Sequence, residues 1–218
     1  MTAARRTPRV DGDLTRSKIL EAAGLLFGQD GYAETSSKAV AMKAKVDLAA
    51  INYHFGGRSG LYQAVLLEGH RRLISLDTLR ALEGGPGSAE QKLGHFIDGL
   101  VERIYSEHGW PVRVCARELL SPSVHFKVLM NDGIMPKSEI IRGFVGSIVG
   151  LPKDDPVLSR CMVCVMAPCL MLLVSSRAAP AAVQEILTMP AQSLADHLKC
   201  FVLAGLEGVR QSILPAPG

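Results

Sequence analysis

Three consecutive polar residues, Asn52, Tyr53 and His54, form the part of the sequence best suited to contact a ligand. They follow Ala49 and Ala50, whose small side chains would let a helix approach another surface closely. An amide, a phenol and an imidazole can bond to phosphate oxygens or to base edges. The same groups would need partners if they were buried in a core. The segment therefore predicts a contact with nucleic acid.

Three cysteines, Cys161, Cys164 and Cys169, lie in one apolar stretch and are the other residues that could do chemistry. Cys161 and Cys164 would stand one turn apart on a helix, so both thiolates could face one metal ion. A closed zinc site needs four ligands, and no histidine nearby supplies the missing ones. We therefore expect small packed thiols and no metal site, with a thiol-responsive or metal-responsive regulator as the alternative.

The sequence lacks recognisable catalytic motifs. It has no nucleophile elbow, no glycine loop that would cradle a phosphate, and no carboxylates paired at catalytic spacing. We therefore expect no catalytic residues, no cofactor and no enzyme activity. A helical enzyme acting on a small lipophilic substrate is a further alternative.

Apolar residues at helical spacing predict four short helices around the polar segment. The predicted helices cover residues 14–27, a segment that begins at a Thr35 or Ser36 cap and ends at Ala44, residues 48–55 and residues 59–73. The second and third are joined across residues 44–47, which is the spacing of a helix-turn-helix. In that motif the second helix of the pair enters the major groove of DNA.

The distribution of charge supports a polyanionic partner for the N-terminal third. The 218 residues carry a net charge of +3, and residues 1–72 hold 11 Lys and Arg against 7 Asp and Glu, whereas the remainder holds 13 against 14. An excess of positive charge attracts polyanions such as DNA. Arg5, Arg6 and Arg9 are expected to lie in a flexible basic arm. No apolar segment follows them, so we expect no signal peptide and a cytoplasmic protein with reduced thiols.

Beyond a linker signal at residues 83–88, rich in glycine with one proline, the sequence keeps a helical pattern. No stretch alternates apolar and polar residues as a strand does, so the predicted fold class is all-α. The uncharged run from Cys161 to Val174 is shorter than the roughly 20 residues that a bilayer requires. We expect a buried helix here, covered in part by a second copy of the chain.

A set of short sequence words runs in fixed order through the four predicted helices. The words are Ile19-Leu20-Glu21-Ala22-Ala23, Phe27, Gly31-Tyr32, Thr35-Ser36, Val40-Ala41, Ala44, Val46, Ile51-Asn52-Tyr53-His54-Phe55, Arg58 and Gly60-Leu61-Tyr62. In these residues the chain resembles the TetR family of bacterial transcriptional regulators. The resemblance implies a dimeric repressor or regulator whose remaining helices bind an inducer and pair the subunits. Two recognition helices related by a two-fold axis would read an inverted repeat of duplex DNA.

Carried over position by position, the resemblance implies two kinds of DNA contact. Phosphate contacts are expected from Thr35, Tyr53, His54 and Arg58, base contacts from Leu48, Ala49, Ala50 and Asn52, and further contacts from Ser36 and Lys45. Lys45 departs from the family because it stands where the turn usually has glycine, and a left-handed backbone there would cost lysine about 1 kcal/mol. Arg58 replaces the usual lysine and keeps the charge.

The C-terminal part resembles the subgroup with a CecR-type ligand domain, in residues 117–123 and 133–136. In the family, the last two long helices of each subunit form a four-helix dimer bundle. The resemblance implies this role for residues 154–176 and 193–213.

An effector pocket between helices should be mostly apolar with a few polar groups. The candidate lining residues are Phe96, Leu100, Trp110, Arg113, Arg117, His125, Phe126, Met130, Met162 and Met166. Methionine side chains adapt to varied shapes, which favours a lipophilic effector.

The predicted domains are a basic arm over residues 1–13, a helix-turn-helix domain over 14–58, a connecting helix over 59–83 and a ligand-binding and dimerisation domain over 89–214. We therefore expect a cytoplasmic, homodimeric repressor that binds a palindromic DNA operator and is released by a small lipophilic effector. No membrane partner is expected.

Overall fold

The structure, a computed structural model, describes residues 8–106, 109–175, 185–186 and 188–213, with side chains from residue 11 onward. Within these ranges the chain is helical and has no strand, which confirms the predicted all-α fold class. The helices are α1 (Pro8–Glu34), α2 (Ser37–Ala44), α3 (Leu48–Phe55), α4 (Arg58–Leu73), α5 (Leu76–Gly84), α6 (Ala89–Ser106), α7 (Trp110–Leu120), α8 (Phe126–Val128) followed by the π-helical turn Leu129–Ile134, α9 (Met135–Val149), α10 (Pro156–Val174) and α11 (Ala191–Ile213).

The helices group into two units. The first contains the described residues up to 70 together with 109–130, and the second contains those from 71 to 106 and from 131 onward. This grouping differs from the predicted boundaries, which placed all of residues 89–214 in one domain. The reason is that α7 buries its apolar face against α1. The predicted arm over residues 1–13 lies partly outside the described residues, and α1 already begins at Pro8.

The first unit is built on the apolar stripe of α1. The side chains of Ile19, Ala23 and Phe27 are fully buried, and the other helices add Val40, Ile51, Leu61, Val65 and Leu66 to the same core. This three-and-four spacing is what places side chains on one face of a helix. At Gly31 the backbone leaves helical geometry, with φ of 87° and ψ of 172°. A side chain would be strained at this φ, so the glycine fixes where α1 gives way to the segment leading into α2.

Trp110 at the start of α7 fixes that helix to α1. Its side chain is buried, and the indole Nε1 donates a hydrogen bond to Glu21 Oε2 over 2.7 Å. The ring lies over Gly24, where an added Cβ would come within 2.2 Å of a ring carbon. Farther along α7, Arg117 donates to the backbone carbonyl of Gln29 over 2.8 Å. These contacts explain why α7 belongs to the first unit.

A buried polar cluster joins α4 to the end of α7. Glu118 is 1% exposed and accepts hydrogen bonds from the Tyr62 hydroxyl over 2.7 Å and from the backbone and hydroxyl of Ser123 over 3.0 and 2.8 Å. Burial, together with the hydrogen bond to Glu118, raises the pKa of Tyr62 far above its ordinary value, so the phenol stays a donor. A buried carboxylate is tolerated only with such donors.

The second unit packs α6 against α9 and α11, with α5 and α10 alongside. Its buried apolar side chains include Leu93, Ile97, Val101, Ile141, Phe144, Val145, Leu158 and Leu206. At the surface Lys199 of α11 forms ion pairs with Asp98 over 2.6 Å and with Asp196 over 2.9 Å. α9 has Pro136 in its first turn, where a proline removes no helical hydrogen bond.

α10 is buried along one face only. Leu158, Cys161, Val165, Cys169, Leu172 and Leu173 are buried, whereas Val163 and Met171 are 67% and 58% exposed. A single chain therefore covers α10 only in part, and its predicted cover by a second copy of the chain stays a prediction. Among the described helices α10 is also the one that could span a bilayer by length and composition, with a mean hydropathy of 2.2. That property is a weak indication, because core helices of soluble proteins share it.

The helices predicted over residues 48–55 and 59–73 are confirmed as α3 and α4. The helix predicted over residues 14–27 is longer, because α1 runs from Pro8 to Glu34 with a break in helical geometry at Gly31. The predicted connecting helix over residues 59–83 is instead two helices, α4 and α5. The hydroxyl of Ser75 accepts a hydrogen bond from the Thr78 backbone over 3.0 Å and starts a new helix there.

Replacing Gly24 by alanine should destabilise the first unit. The new Cβ would lie 2.2 Å from the Trp110 ring, so the indole or α7 must shift. Overpacking of this kind costs about 1 to 3 kcal/mol of unfolding free energy, measurable by urea denaturation. Gly12→Ala is the matched control in α1, because its Cβ would meet nothing within 4 Å. The control should gain about 0.5 to 1 kcal/mol, and equal stability of the two variants would contradict the packing.

Candidate nucleic-acid interface

The helix α2 is held at both ends by local hydrogen bonds. At its start the Ser36 hydroxyl accepts a hydrogen bond from the Ala39 backbone over 3.1 Å, so Ser36 is the cap. Ser36 itself is exposed. Its side chain satisfies one of the backbone donors that a helix start leaves without a partner.

The turn after α2 places Lys45 in the left-handed conformation, with φ of 55° and ψ of 50°. The backbone N–H of Lys45 donates to Met42 over 3.2 Å, and that of Val46 donates to Ala41 over 3.1 Å. This pair of bonds is a Schellman motif, in which glycine is the usual residue at the left-handed position. The expectation of a left-handed turn residue is confirmed. The geometry leaves the lysine side chain exposed between α2 and α3.

α3 contacts its own unit through one deeply buried side chain. Ile51 is 0% exposed, whereas Tyr53 is 85% exposed and Leu48 is 49% exposed. Ala49 and Asn52 are exposed as well. The helix ends at Gly56, whose backbone N–H donates to Asn52 over 2.9 Å. Because Ile51 faces inward, the residues on either side of it face solvent, and this face can meet a ligand.

Aromatic and cationic side chains cluster at the end of α3. The rings of Tyr53 and His54 meet edge to face with centroids 4.9 Å apart. The guanidinium of Arg16, on α1, lies 5.1 Å from the centroid of the Phe55 ring. This cation–π contact brings a positive charge from α1 to the end of α3. The sequence offered no local signal for it, because the partner is on another helix.

Two of the predicted phosphate-contacting residues have structural roles. Thr35 is buried, and its hydroxyl donates to the Gly31 carbonyl over 2.8 Å. Arg58 donates to the backbone carbonyls of Tyr32 and Ala33, and its guanidinium stacks on the Tyr32 ring at 4.2 Å. The Thr35 hydroxyl is therefore turned away from solvent, which argues against its predicted phosphate contact. Arg58 clamps the end of α1 to the start of α4, and its predicted phosphate contact stays a prediction.

The exposed surface of α2 carries cations that the predicted site did not include. Lys38 and Lys43 are exposed on α2, and Met42 beside them is 67% exposed. With Lys45 they give this helix three positive side chains and no acidic one. Such a face is suited to the phosphate backbone of DNA. The acidic Asp47 caps α3 and lowers the local charge by one.

The ten residues predicted to line an effector pocket are distributed over both units. Trp110, Arg113, Arg117, His125, Phe126 and Met130 lie in the first unit, and Phe96, Leu100, Met162 and Met166 lie in the second. In the first unit, the roles of Trp110 and Arg117 are the α1 contacts described above. His125 packs edge-on against Tyr32 at 4.9 Å and Tyr62 at 5.6 Å, and its Nδ1 lies 3.2 Å from the Gln63 amide. The effector-binding role of the set stays a prediction.

The thiols give little sign of reactivity. Burial raises the pKa of Cys161, and it raises the pKa of Cys169 to about 11. A raised pKa reduces the thiolate that reacts with oxidants or binds metal. Cys164 and Cys200 are exposed. Within the described ranges no group of three or more His, Cys, Asp or Glu side chains is placed to hold a metal ion.

A helix-turn-helix with an outward α3, joined to a mainly helical C-terminal part, defines a class of DNA-binding regulator. Comparison with known families agrees with this class. Residues 19–65 match the model of bacterial regulatory proteins of the tetR family. Residues 89–209, more than half of the chain, match the C-terminal domain of the HTH-type transcriptional dual regulator CecR. The chain therefore belongs to the TetR family of transcriptional regulators, with a C-terminal domain of the CecR type.

Two curated relatives are regulators as well. The chain is 29% identical over 131 residues to the probable HTH-type transcriptional regulator YttP of Bacillus subtilis, covering 59% of this chain and 61% of that protein. It is 30% identical over 92 residues to the HTH-type transcriptional regulator UidR of Escherichia coli, covering 42% of each. Each match thus spans less than two thirds of the relative's own length. The family and its members are regulators, in agreement with the expectation against an enzyme.

Solved structures share the fold over most of the chain. A TetR-like transcriptional regulator from Rhodococcus sp. RHA1 has a TM-score of 0.67 and 18% identity, covering 93% of this chain and 100% of that one. FadR from Bacillus subtilis, solved in complex with stearoyl-CoA, has a TM-score of 0.69 and 15% identity, covering 87% and 98%. At these identities the likeness shows the fold alone.

Replacing Lys45 by glycine should stabilise the protein. Lysine is strained at φ of 55°, and relief of the left-handed conformation is worth about 1 kcal/mol of unfolding free energy. Lys43→Gly is the matched control inside α2, where the same change should cost about 0.5 to 1 kcal/mol. Urea denaturation of both variants measures the difference. A Lys45→Gly protein less stable than the parent would show that the lysine side chain makes a stabilising contact.

Proposed function

We propose that the protein is a cytoplasmic, homodimeric transcriptional repressor that binds palindromic operator DNA through α2 and α3 and is released by a small lipophilic effector. The observation that carries this proposal is the burial of Ile51 beside the exposure of Asn52 and Tyr53, which turns the functional face of α3 outward. Membership of the TetR family also supports DNA binding through this helix. The major groove of DNA admits one such helix.

The residues of the interface divide into two proposed roles. The first turn of α3, Leu48 to Ala50, and Asn52 approach base edges. The alanines are small, Asn52 carries an amide, and Leu48 offers an exposed apolar side chain. Tyr53, His54, Ser36 and Lys45 contact phosphates on either side. Thr35 and Arg58 act indirectly, since their hydrogen bonds hold the end of α1 where α2 and α4 begin. Lys38 and Lys43 add charge along the backbone of the duplex.

The second copy of the chain is proposed to cover α10 and α11. Exposed apolar side chains on these helices include Val163 at 67%, Met171 at 58% and Phe201 at 69%. Between the two helices lies an apolar groove of about 470 Å³, lined by Val165, Phe201 and Leu206 among others. Exposed apolar surface of this kind marks an interaction site. A symmetric dimer through α10 and α11 would present two copies of α3 to successive major grooves.

A lipophilic effector is supported by the FadR structure solved with stearoyl-CoA, which shares the fold of this chain. Effector binding would change the separation of the two recognition helices, so that both could no longer contact one operator. The thiol-responsive alternative is disfavoured at Cys161 and Cys169, because burial raises the pKa of both thiols. It depends on Cys164, which is exposed. Alkylating the thiols and measuring effector-driven DNA release would test it directly.

The double variant Tyr53→Ala with His54→Ala should lose specific DNA binding while keeping its fold. Footprinting on the DNA upstream of the protein's own gene identifies the operator, and a gel shift with that duplex measures affinity. We expect at least about a hundredfold loss, because two contacts of roughly 1 to 3 kcal/mol are removed. Val124→Ala is the control, since this residue is 87% exposed outside the helix-turn-helix. Operator affinity retained by the double variant, with unchanged helix content, would overturn the proposal.

The variant Phe201→Glu should dissociate the dimer. Phe201 is 69% exposed in one chain, so the change spares the core but places a charge in the proposed interface. Burying an unpaired charge is costly, and we expect the dimer dissociation constant to rise at least about tenfold in sedimentation equilibrium. Leu120→Glu is the control, because Leu120 is also 69% exposed but lies at the end of α7. A Phe201→Glu protein that dimerises like the parent would exclude α11 from the interface.

A further inference from the structure

A cavity of about 370 Å³ opens in the second unit where α4 ends, α5 begins and α6 passes. This volume lies within the range of pockets that hold small molecules. Its lining residues are Arg71, Arg72, Leu73, Ile74, Ser75, Thr78, Leu82, His95, Phe96, Gly99 and Arg103. Of the predicted effector residues only Phe96 is among them, so the cavity is a different site from the predicted one.

The lining of the cavity is strongly basic. Three arginines, Arg71, Arg72 and Arg103, and one histidine, His95, line it, and none of its lining residues is acidic. His95 and Arg103 are eight residues apart on α6, so they stand on one face of that helix, with Gly99 between them. Each guanidinium has five N–H donors, so an arginine engaged elsewhere can still bind an anion.

The start of α5 adds polar groups to this basic lining. The Ser75 hydroxyl caps α5 and lies 2.7 Å from the Thr78 hydroxyl, and both residues line the cavity. The helix dipole places partial positive charge at the same end of α5. The arginines, the hydroxyls and the start of α5 therefore all favour the binding of an anion.

The cavity also has apolar lining residues. Leu73 and Phe96 are buried there, and Ile74 and Leu82 complete the surface. Gly99 keeps the space open, because an added Cβ at this position would meet nothing within 4 Å. An occupant that satisfies both kinds of lining residue must carry an acid group and a hydrocarbon part.

We propose that this cavity binds a small amphiphilic anion, a carboxylate or phosphate monoester with an apolar tail, and that this compound is the effector. The arginine fork matches the oxygens of either acid group. The role as effector rests on the proposed regulatory function, whereas the binding itself does not. The proposal narrows the lipophilic effector to an acidic one and gives it a location.

The test is isothermal titration calorimetry of the full chain with n-octyl phosphate and n-octanoate, and with n-octanol as the uncharged match. At least one of the two anions should bind once per chain and at least about tenfold more tightly than octanol, because charge-assisted hydrogen bonds are lost with the alcohol. Whichever anion binds more tightly identifies the acid group. Octanol binding as tightly as both anions, or no binding by either anion, would overturn the proposal.

Variants locate the site. Arg103→Gln should weaken binding of the tighter anion about tenfold, the effect of one lost charged hydrogen bond. Gly99→Leu should abolish binding by filling the cavity, and thermal denaturation should show it folded, since leucine favours a helix over glycine. Arg210→Gln is the matched control, because Arg210 pairs with Glu207 on α11 away from the cavity. Full affinity in Gly99→Leu, or an equal loss in Arg210→Gln, would also overturn the proposal.

A gel shift separates this inference from the proposed function. With the operator duplex, the tighter anion should release wild-type protein and leave Gly99→Leu bound. Protein that binds the anion but never binds DNA would refute the regulator while leaving the anion site intact. Protein that binds DNA and the anion independently would show that this compound is not the effector.

Discussion

The geometry of the DNA-facing surface depends on the burial of one side chain, Ile51. An eight-residue helix is too short to be stable in water by itself, so α3 exists because it is packed and capped. Ile51 supplies the packing, and the left-handed residues Lys45 and Gly56 set where the helix starts and stops. The orientation of every exposed side chain of α3 is therefore set by these three positions. A change in the orientation of Ile51 would rotate the whole face that meets a ligand.

The residues around α3 divide into those that face outward and those that hold the frame. Arg58 and Thr35 belong to the frame, because their polar groups bond to the backbone at the end of α1. Glu118 and Tyr62 extend the frame to α7 through a hydrogen bond of 2.7 Å. In the second unit the basic cavity is formed by a short helix start and one face of α6, so its charges are likewise fixed by regular structure.

The sequence predicted the local features of this protein well. The apolar spacing predicted α3, and the hydroxyl of Ser36 predicted the start of α2. Lys45, which stands where the family usually has glycine, indicated a left-handed turn. It could not predict contacts between distant segments. Trp110 and His125 were expected in a pocket because aromatic rings occur in both pockets and cores. In the structure Trp110 donates a hydrogen bond to the carboxylate of Glu21, 89 residues earlier in the chain. Thr35 was expected at the surface because a family position does not reveal where its hydroxyl points.

The packing of α7 on α1 makes the DNA-binding half of the molecule discontinuous in sequence. Gly24 and Trp110 fit each other closely although a helical hairpin of the second unit lies between them in the chain. Recombination between relatives at the glycine-rich segment after α5 would exchange the N-terminal helices without α7. Gly24 and Trp110 would then come from different parents. A functional chimaera must inherit residues 109–130 from the same parent as the N-terminal helices. This requirement restricts how such regulators can acquire new operators by recombination.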